Sequence, residues 1–133
     1  DIYDQKSKFV QKTPFITFID EAHRYISSNS ENNQLSTIAK EGRKYGIYLF
    51  MSTQRPRDIN SDIISQVGTF IVHRLWNDDD LQQMKNALNS ESINKIKLLK
   101  TGNAIFSSVN LLDDLEVSFN KSRRKHFNDT PRL

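Results

Sequence analysis

The 133-residue sequence predicts an α/β fold, with a mainly parallel sheet flanked by helices and a C-terminal β-hairpin. Three apolar runs, 15–19, 47–51 and 70–72, are rich in aromatic and β-branched residues and lack the alternation of a half-exposed strand. Helical patterns separate these runs, and alternating strands and helices are typical of parallel sheets. A chain of this length suits a single domain spanning 1–133.

The first helix is predicted over 29–45, between the first two strands. Four of its residues fall at i, i+3, i+4 and i+7 on one apolar face: Leu35, Ile38, Ala39 and Gly42. Ser28 and Glu31 form a plausible capping box at its start, and Gly46 is a stop signal. A shorter helix is expected over 61–67, before the third strand.

Two helices and a hairpin are predicted after the third strand. The helix over 77–88 begins with the acidic cluster Asp78, Asp79 and Asp80, which suits a helix N-terminus, and a second helix spans 90–99. The segments 104–109 and 115–119 then read as the two strands of an edge hairpin.

The charge balance permits contact with nucleic acid without demonstrating it. Lys and Arg number 19 against 16 Asp and Glu, which gives a net charge of +3. Five cations crowd into a basic tail over 120–133: Lys121, Arg123, Arg124, Lys125 and Arg132. A solvated or frayed chain end accounts for the same charges and is the favoured interpretation.

The absence of cysteine excludes a disulfide framework and a thiolate metal site. No apolar run approaches the roughly 18 residues of a membrane span, and no signal peptide opens the sequence. We therefore expect a soluble cytoplasmic protein with no membrane partner.

Polar residues follow the first two predicted strands directly. Asp20 and Glu21 come after the first strand, and Gln54 follows the second. Ligands bind outside the carboxyl ends of parallel strands. In phosphoryl transfer to water, one carboxylate holds Mg²⁺ and its neighbour deprotonates the attacking water. A purely structural alternative is that Asp20 caps a following helix and 52–56 is a polar turn before Pro56.

Four motifs, taken in order, resemble the HerA group of the HerA/FtsK hexameric ATPases over about Pro14 to Val109. They are Asp20-Glu21-Ala22-His23, the helix end from Glu41 to Ile47, Thr53-Gln54-Arg55-Pro56, and Ile71-Val72-His73-Arg74-Leu75. The resemblance implies a RecA-like P-loop NTPase core that uses ATP and Mg²⁺. It matches Asp20 and Glu21 to the Walker B pair, with Asp20 on the metal and Glu21 as the catalytic base, and Gln54 to the sensor residue.

The resemblance also assigns two arginines. Arg43 matches the arginine that such rings insert into the ATP site of the neighbouring subunit, and its place near the edge of the apolar helical stripe suits that reach. The alternative is an ordinary surface arginine. Arg74, at the end of the third strand, is a weaker candidate for a contact with the nucleotide phosphates or for a bond between subunits.

The function that the resemblance implies is ATP-driven movement of double-stranded DNA through a hexameric ring. Such proteins commonly act with a nuclease in DNA end processing or antiphage defence. However, nothing here resembles the phosphate loop Gly-x-x-x-x-Gly-Lys-Ser/Thr. We therefore expect the chain to be the C-terminal part of a longer ATPase domain, from Walker B onward, and to hydrolyse ATP poorly on its own.

Other interpretations remain open from the sequence. The chain could be a non-catalytic interaction module whose hairpin and tail bind a partner, or part of a type IV secretion or conjugation ATPase of the same superfamily. A metal site built on His23 or His73 is disfavoured. Four aromatic residues are expected in the core rather than at a base-stacking surface: Tyr45, Tyr48, Phe50 and Phe70.

Overall fold

The structure, a computed structural model, describes residues 13–26 and 34–121. The strands are β1 (Phe15–Ile19), β2 (Ile47–Met51), β3 (Thr69–His73), β4 (Asn103–Ser108) and β5 (Leu115–Ser118). The α-helices are α1 (Gln34–Glu41), α2 (Ser61–Ile64), α3 (Asp78–Met84) and α4 (Ser90–Ile96). Three 3₁₀ turns connect them, at Ala22–Arg24, Gly42–Tyr45 and Pro56–Asp58.

β1 and β2 pair in parallel, with Phe15 opposite Ile47 and Ile19 opposite Met51. The pairing continues beyond both strand ends, because the amide of Ser52 donates to the carbonyl of Ile19 at 2.9 Å. The α/β fold class predicted from the sequence is confirmed, with helices beside a parallel pair and an antiparallel sheet at the C-terminal end.

The predicted C-terminal hairpin is also confirmed. β4 pairs antiparallel with β5, and β3 pairs antiparallel with the other edge of β4. Within the described ranges, β3 therefore belongs to this three-stranded sheet and not to the parallel pair.

The buried apolar residues form two clusters. The larger lies between the antiparallel sheet and helices α3 and α4, and contains Val72, Leu81, Met84, Leu88, Ile96, Leu99 and Ile105. The smaller, which we call the site-side cluster, contains Ala22, Ile26, Ile59 and Ile63. Ile64 packs against both clusters, so α2 connects the two halves of the core.

The first helix differs from its prediction. α1 ends at Glu41 and continues as the 3₁₀ turn Gly42–Tyr45, while 29–33 lie outside the described residues. Gly42 is buried, and a Cβ atom there would lie 3.1 Å from the carbonyl oxygen of Ile47. This close approach favours glycine, because any side chain would require the Ile47 backbone to shift by a few tenths of an ångström, and glycine is a poor helix former. The 100° spacing used to place Arg43 on a helix edge therefore does not apply.

Three of the four aromatic residues expected in the core are exposed. The side chains alternate along β2, so Ile47 is buried while Tyr48 and Phe50 are 46% and 54% exposed. Phe18 is 77% exposed and stacks on Phe50, with ring centroids 4.9 Å apart. The lack of alternation in the apolar runs predicted strands covered on both faces. Within the described ranges, one face of the parallel pair β1–β2 is instead exposed. Tyr45 is 37% exposed, and Phe70 is partly buried against the larger cluster.

Two other expectations concern the chain ends and membranes. The basic tail lies outside the described residues except for 120 and 121, and Lys121 is exposed. No helix within 13–26 and 34–121 has both the length and the apolar character needed to cross a membrane.

Gly46 ends the 3₁₀ turn at a φ of 72° and accepts a hydrogen bond from the amide of Phe15, where the parallel pair begins. Because an L-residue is strained at this φ, we expect Gly46→Ala to lower the free energy of unfolding of the chain by about 1 kcal/mol. Urea denaturation measures this change.

Gly68→Ala is the matched control. Gly68 has no positive φ, and its Cβ would meet the Val109 side chain at an ordinary 3.7 Å. Its stability should stay the same or rise by up to about 1 kcal/mol. Equal losses in the two variants would contradict this account of Gly46.

Candidate active site

Asp20 and Glu21 lie at the carboxyl end of β1, before the 3₁₀ turn Ala22–Arg24. Glu21 adopts the left-handed region, with φ 52° and ψ 45°, and is the only non-glycine residue in the described ranges with a positive φ. Such a conformation costs about 1–2 kcal/mol and persists only where the surroundings impose it. Here they do, because Ala22 is fully buried and its amide donates to the carbonyl of Ser52 at 2.8 Å.

Asp20 is held by two hydrogen bonds to its Oδ1 atom. The Ser52 hydroxyl donates one, and the amide of Glu21 donates the other at 3.0 Å. The hydrogen bond from Ser52, and secondly that from the Glu21 amide, lower the pKa of Asp20. This side chain is therefore an ionised carboxylate at neutral pH.

Glu21 is contacted at both carboxylate oxygens. The side-chain amide of Gln54 donates to Oε1 at 2.9 Å, which joins the ends of the two parallel strands. Nε2 of His23 lies 3.5 Å from Oε2. The structure thus brings Asp20, Glu21 and Gln54 together at one edge of the parallel pair.

The loop after β2 is braced against α3. The buried carboxylate of Asp80 accepts from the amide of Arg57 at 3.1 Å, and the Gln83 side chain donates to the carbonyl of Ile59 at 2.8 Å. Arg55 pairs with Asp58 at 2.8 Å within the loop. These contacts hold the segment that follows Gln54 in one place.

Arg43 lies at the other end of the parallel pair. It sits in the exposed 3₁₀ turn that precedes β2, whereas Asp20 follows β1. A five-residue strand is roughly 16 Å long, so Arg43 is beyond reach of the carboxylates of its own chain.

Arg74 has other partners in the described structure. Its Nη1 atom donates to the carbonyl of Leu99 at 3.3 Å, and its guanidinium lies 4.7 Å from the ring centroid of Trp76. Neither contact joins it to the carboxylates at the end of β1.

Three residues of this site were missed or misjudged from the sequence. Ser52 bonds to Asp20, while Thr53 and His23 bond to each other at 3.0 Å. The sequence did contain a signal for Ser52 and Thr53, because they follow β2 as directly as Asp20 and Glu21 follow β1. His23 belongs to a motif that carries the family resemblance, but the only role considered for it was that of a metal ligand, which was disfavoured.

The residues present fit Mg²⁺ bound together with a nucleotide. Within 13–26 and 34–121, no group of three or more His, Asp or Glu side chains is placed to hold a metal ion. Asp20 supplies one ionised carboxylate, and Mg²⁺ in ATPases is commonly held by one or two carboxylates plus substrate phosphates. An all-protein metal cage is therefore absent from the described part, whereas a shared metal–phosphate site is chemically reasonable.

Sequence comparison finds relatives of this chain among archaeal helicases. The model of the family "Helicase HerA-like C-terminal" matches residues 7–111. The DNA double-strand break repair helicase HerA of Pyrococcus furiosus is 36% identical over 85 residues, which cover 62% of this chain and 15% of that protein. The HerA helicase of Saccharolobus solfataricus is 33% identical over 101 residues, which cover 71% of this chain and 20% of that protein. The chain thus spans about a fifth or less of the length of these relatives.

Structural comparison finds the same fold in packaging NTPases of viruses. The DNA-packaging ATPase B204 from Sulfolobus Turreted Icosahedral Virus superposes with a TM-score of 0.75 at 20% identity, covering 90% of this chain and 59% of that one. The genome packaging NTPase B204 from Sulfolobus turreted icosahedral virus 2, in complex with ATP-gammaS, superposes with a TM-score of 0.69 at 22% identity. This superposition covers 79% of this chain and 52% of that one. The chain therefore shares its fold with these packaging NTPases, and it belongs to the family of helicase HerA-like C-terminal domains.

Proposed function

We propose that this chain is the C-terminal part of a RecA-like ATPase domain, from Walker B onward, in an ATP-driven DNA translocase or helicase. One observation carries the proposal: two neighbouring parallel strands present Asp20, Glu21 and Gln54 at the same carboxyl-end edge, linked by the Gln54–Glu21 hydrogen bond. Two carboxylates and an amide in this place suit hydrolysis of a phosphoanhydride. The names of the relatives, which are helicases and NTPases, support the same activity.

Each of these side chains has a distinct task in the proposal. Glu21 takes a proton from the attacking water, and Gln54 orients that water by hydrogen bonding. Asp20, whose pKa is lowered first by the Ser52 hydrogen bond, would hold Mg²⁺ through its water shell. Bound MgATP would supply the γ-phosphoryl group and the cation that neutralises its charge.

The phosphate loop would be supplied by another part of the full-length protein. Within this sequence, Arg74 is a secondary candidate for a contact with the nucleotide phosphates, which would require it to leave the Leu99 carbonyl. Arg43, which lies at the far end of the parallel pair, would act on the nucleotide of a neighbouring subunit.

The assembly that follows is a homo-oligomeric ring, hexameric in our proposal, that moves double-stranded DNA in the cytoplasm. Relatives of this chain are named as DNA double-strand break repair helicases, which supports a task at DNA ends. We extend this to a nuclease partner, in end processing or antiphage defence. A non-catalytic interaction module is the alternative outcome of the experiments below.

Glu21→Gln in the full-length protein should lower the rate of ATP hydrolysis by about 10²–10⁴-fold, because a general base contributes an amount of this order. Nucleotide binding and ring assembly should persist, since the amide has the shape of the carboxylate. A coupled ATPase assay with and without double-stranded DNA, beside a nucleotide titration, measures both.

Glu91→Gln is the control, because Glu91 is exposed on α4 and forms an ion pair with Lys95. It should hydrolyse ATP at the wild-type rate. Turnover in the Glu21→Gln protein close to that of the control would reject Glu21 as the base. A wild-type protein without any nucleotide turnover would favour the interaction module.

Arg43→Ala should reduce hydrolysis by about 10³–10⁵-fold, the value of an arginine finger elsewhere, while the subunit stays folded because Arg43 is exposed. Lys44→Ala removes the neighbouring exposed cation and should leave the rate nearly unchanged. The same ATPase assay compares them.

Mixing subunits tests whether Arg43 acts between chains. A ring mixed from equal amounts of Arg43→Ala and Glu21→Gln subunits contains intact sites at about a quarter of its interfaces, where the first variant provides Glu21 and the second provides Arg43. We therefore expect partial recovery of activity. A mixture as inactive as either variant alone would contradict a role for Arg43 across the interface.

A further inference from the structure

His23 bridges the ends of the two parallel strands from within the turn that follows β1. Its side chain is only 12% exposed. Nδ1 lies 3.0 Å from the hydroxyl of Thr53, and Nε2 lies 3.5 Å from Oε2 of Glu21.

These contacts define where the ring proton sits. Nε2 faces an oxygen of the Glu21 carboxyl group, so it must carry a hydrogen to donate to that oxygen. In the neutral ring, Nδ1 is then an acceptor. The Thr53 hydroxyl can donate its hydrogen to Nδ1. Its oxygen accepts a separate hydrogen bond from the amide of Arg55 at 3.1 Å. The result is a directed chain from Arg55 through Thr53 and His23 to Glu21.

Glu21 needs such support more than an ordinary glutamate does. Its backbone is in the left-handed region, and its side chain is partly exposed. Gln54 contacts only Oε1, so a single hydrogen bond would leave the carboxylate free to rotate about its last bond. A second donor at Oε2 would fix the plane of the carboxylate, and Nε2 of His23 is placed to become that donor. At 3.5 Å this contact is long, as hydrogen bonds in unliganded active sites often are before they tighten.

We propose that His23 is a positioning residue that, oriented by Thr53, holds the Glu21 carboxylate in the plane needed to take a proton from water. The inference rests on the proposed function, in which Glu21 is the base. In this proposal His23 contacts neither the nucleotide nor the metal, and its effect passes entirely through Glu21.

The two ring nitrogens can be replaced separately. In His23→Gln, the side-chain amide reaches the position of Nε2 and can still donate to Glu21. In His23→Asn, the amide reaches only the position of Nδ1, so the contact with Thr53 is kept and that with Glu21 is lost. His23→Ala loses both.

The full-length protein is assayed for ATP hydrolysis with double-stranded DNA. We expect kcat to fall about 10- to 100-fold in the Asn and Ala variants, the effect of a misplaced reacting group, with KM for ATP changed less than about threefold. His23→Gln should recover most of the wild-type kcat. Thr53→Val should lower kcat in the same direction, and Thr53→Ser, which keeps the hydroxyl, should not.

A readout independent of turnover is the crystal structure of the nucleotide-free variants. The Glu21 carboxylate should keep its orientation in His23→Gln and rotate in His23→Asn. Unfolding in urea separates positioning from folding, because the two variants should have equal midpoints.

The possible failures are distinguishable. If wild-type protein hydrolyses ATP and Glu21→Gln abolishes it, but the Gln and Asn variants of His23 lose equal activity or none, the inference is wrong and the proposed function stands. If the wild-type protein shows no hydrolysis, the proposed function fails and takes this inference with it.

Discussion

The parallel pairing of β1 with β2 is the constraint on which the rest of this site depends. It continues past the strand ends through the hydrogen bonds from Ser52 to Ile19 and from Ala22 to Ser52. This register places the Ser52 hydroxyl on Asp20 and the Gln54 amide on Glu21. A slip by one residue would turn each of these side chains to the opposite face of the sheet. Backbone pairing therefore selects which polar groups meet.

Burial and backbone strain both act at the carboxyl ends of β1 and β2. Ala22 and Ile26, which are fully buried in the site-side cluster, fix the turn after β1 and so force Glu21 into its left-handed conformation. On the other strand, contacts from α3 hold the loop that follows Gln54. The groups proposed for hydrolysis consequently lie on segments that are each fixed from two sides, which is the preorganisation that electrostatic catalysis would require.

The sequence predicted what local patterns encode. The strand-end rule located Asp20, Glu21 and Gln54 at a common edge, and alternation located the hairpin. Predictions failed where tertiary contacts decide. The α-helix gives way to a 3₁₀ turn at Gly42, which lies close to Ile47, and Tyr48 is exposed because nothing in the described ranges covers its face of β2. The contact between His23 and Glu21 depends on side-chain rotamers and on the left-handed backbone of Glu21, which residue type and spacing do not specify.

The central claim is that the carboxyl ends of β1 and β2 face the reacting phosphate, and one structure would test it most directly. The full-length protein should be determined with Mg²⁺ and a non-hydrolysable ATP analogue. We predict the terminal phosphate beside Glu21 and Gln54, Asp20 in the water shell of the metal, and Arg43 reaching in from the next subunit. A nucleotide bound away from the ends of these two strands would contradict the account.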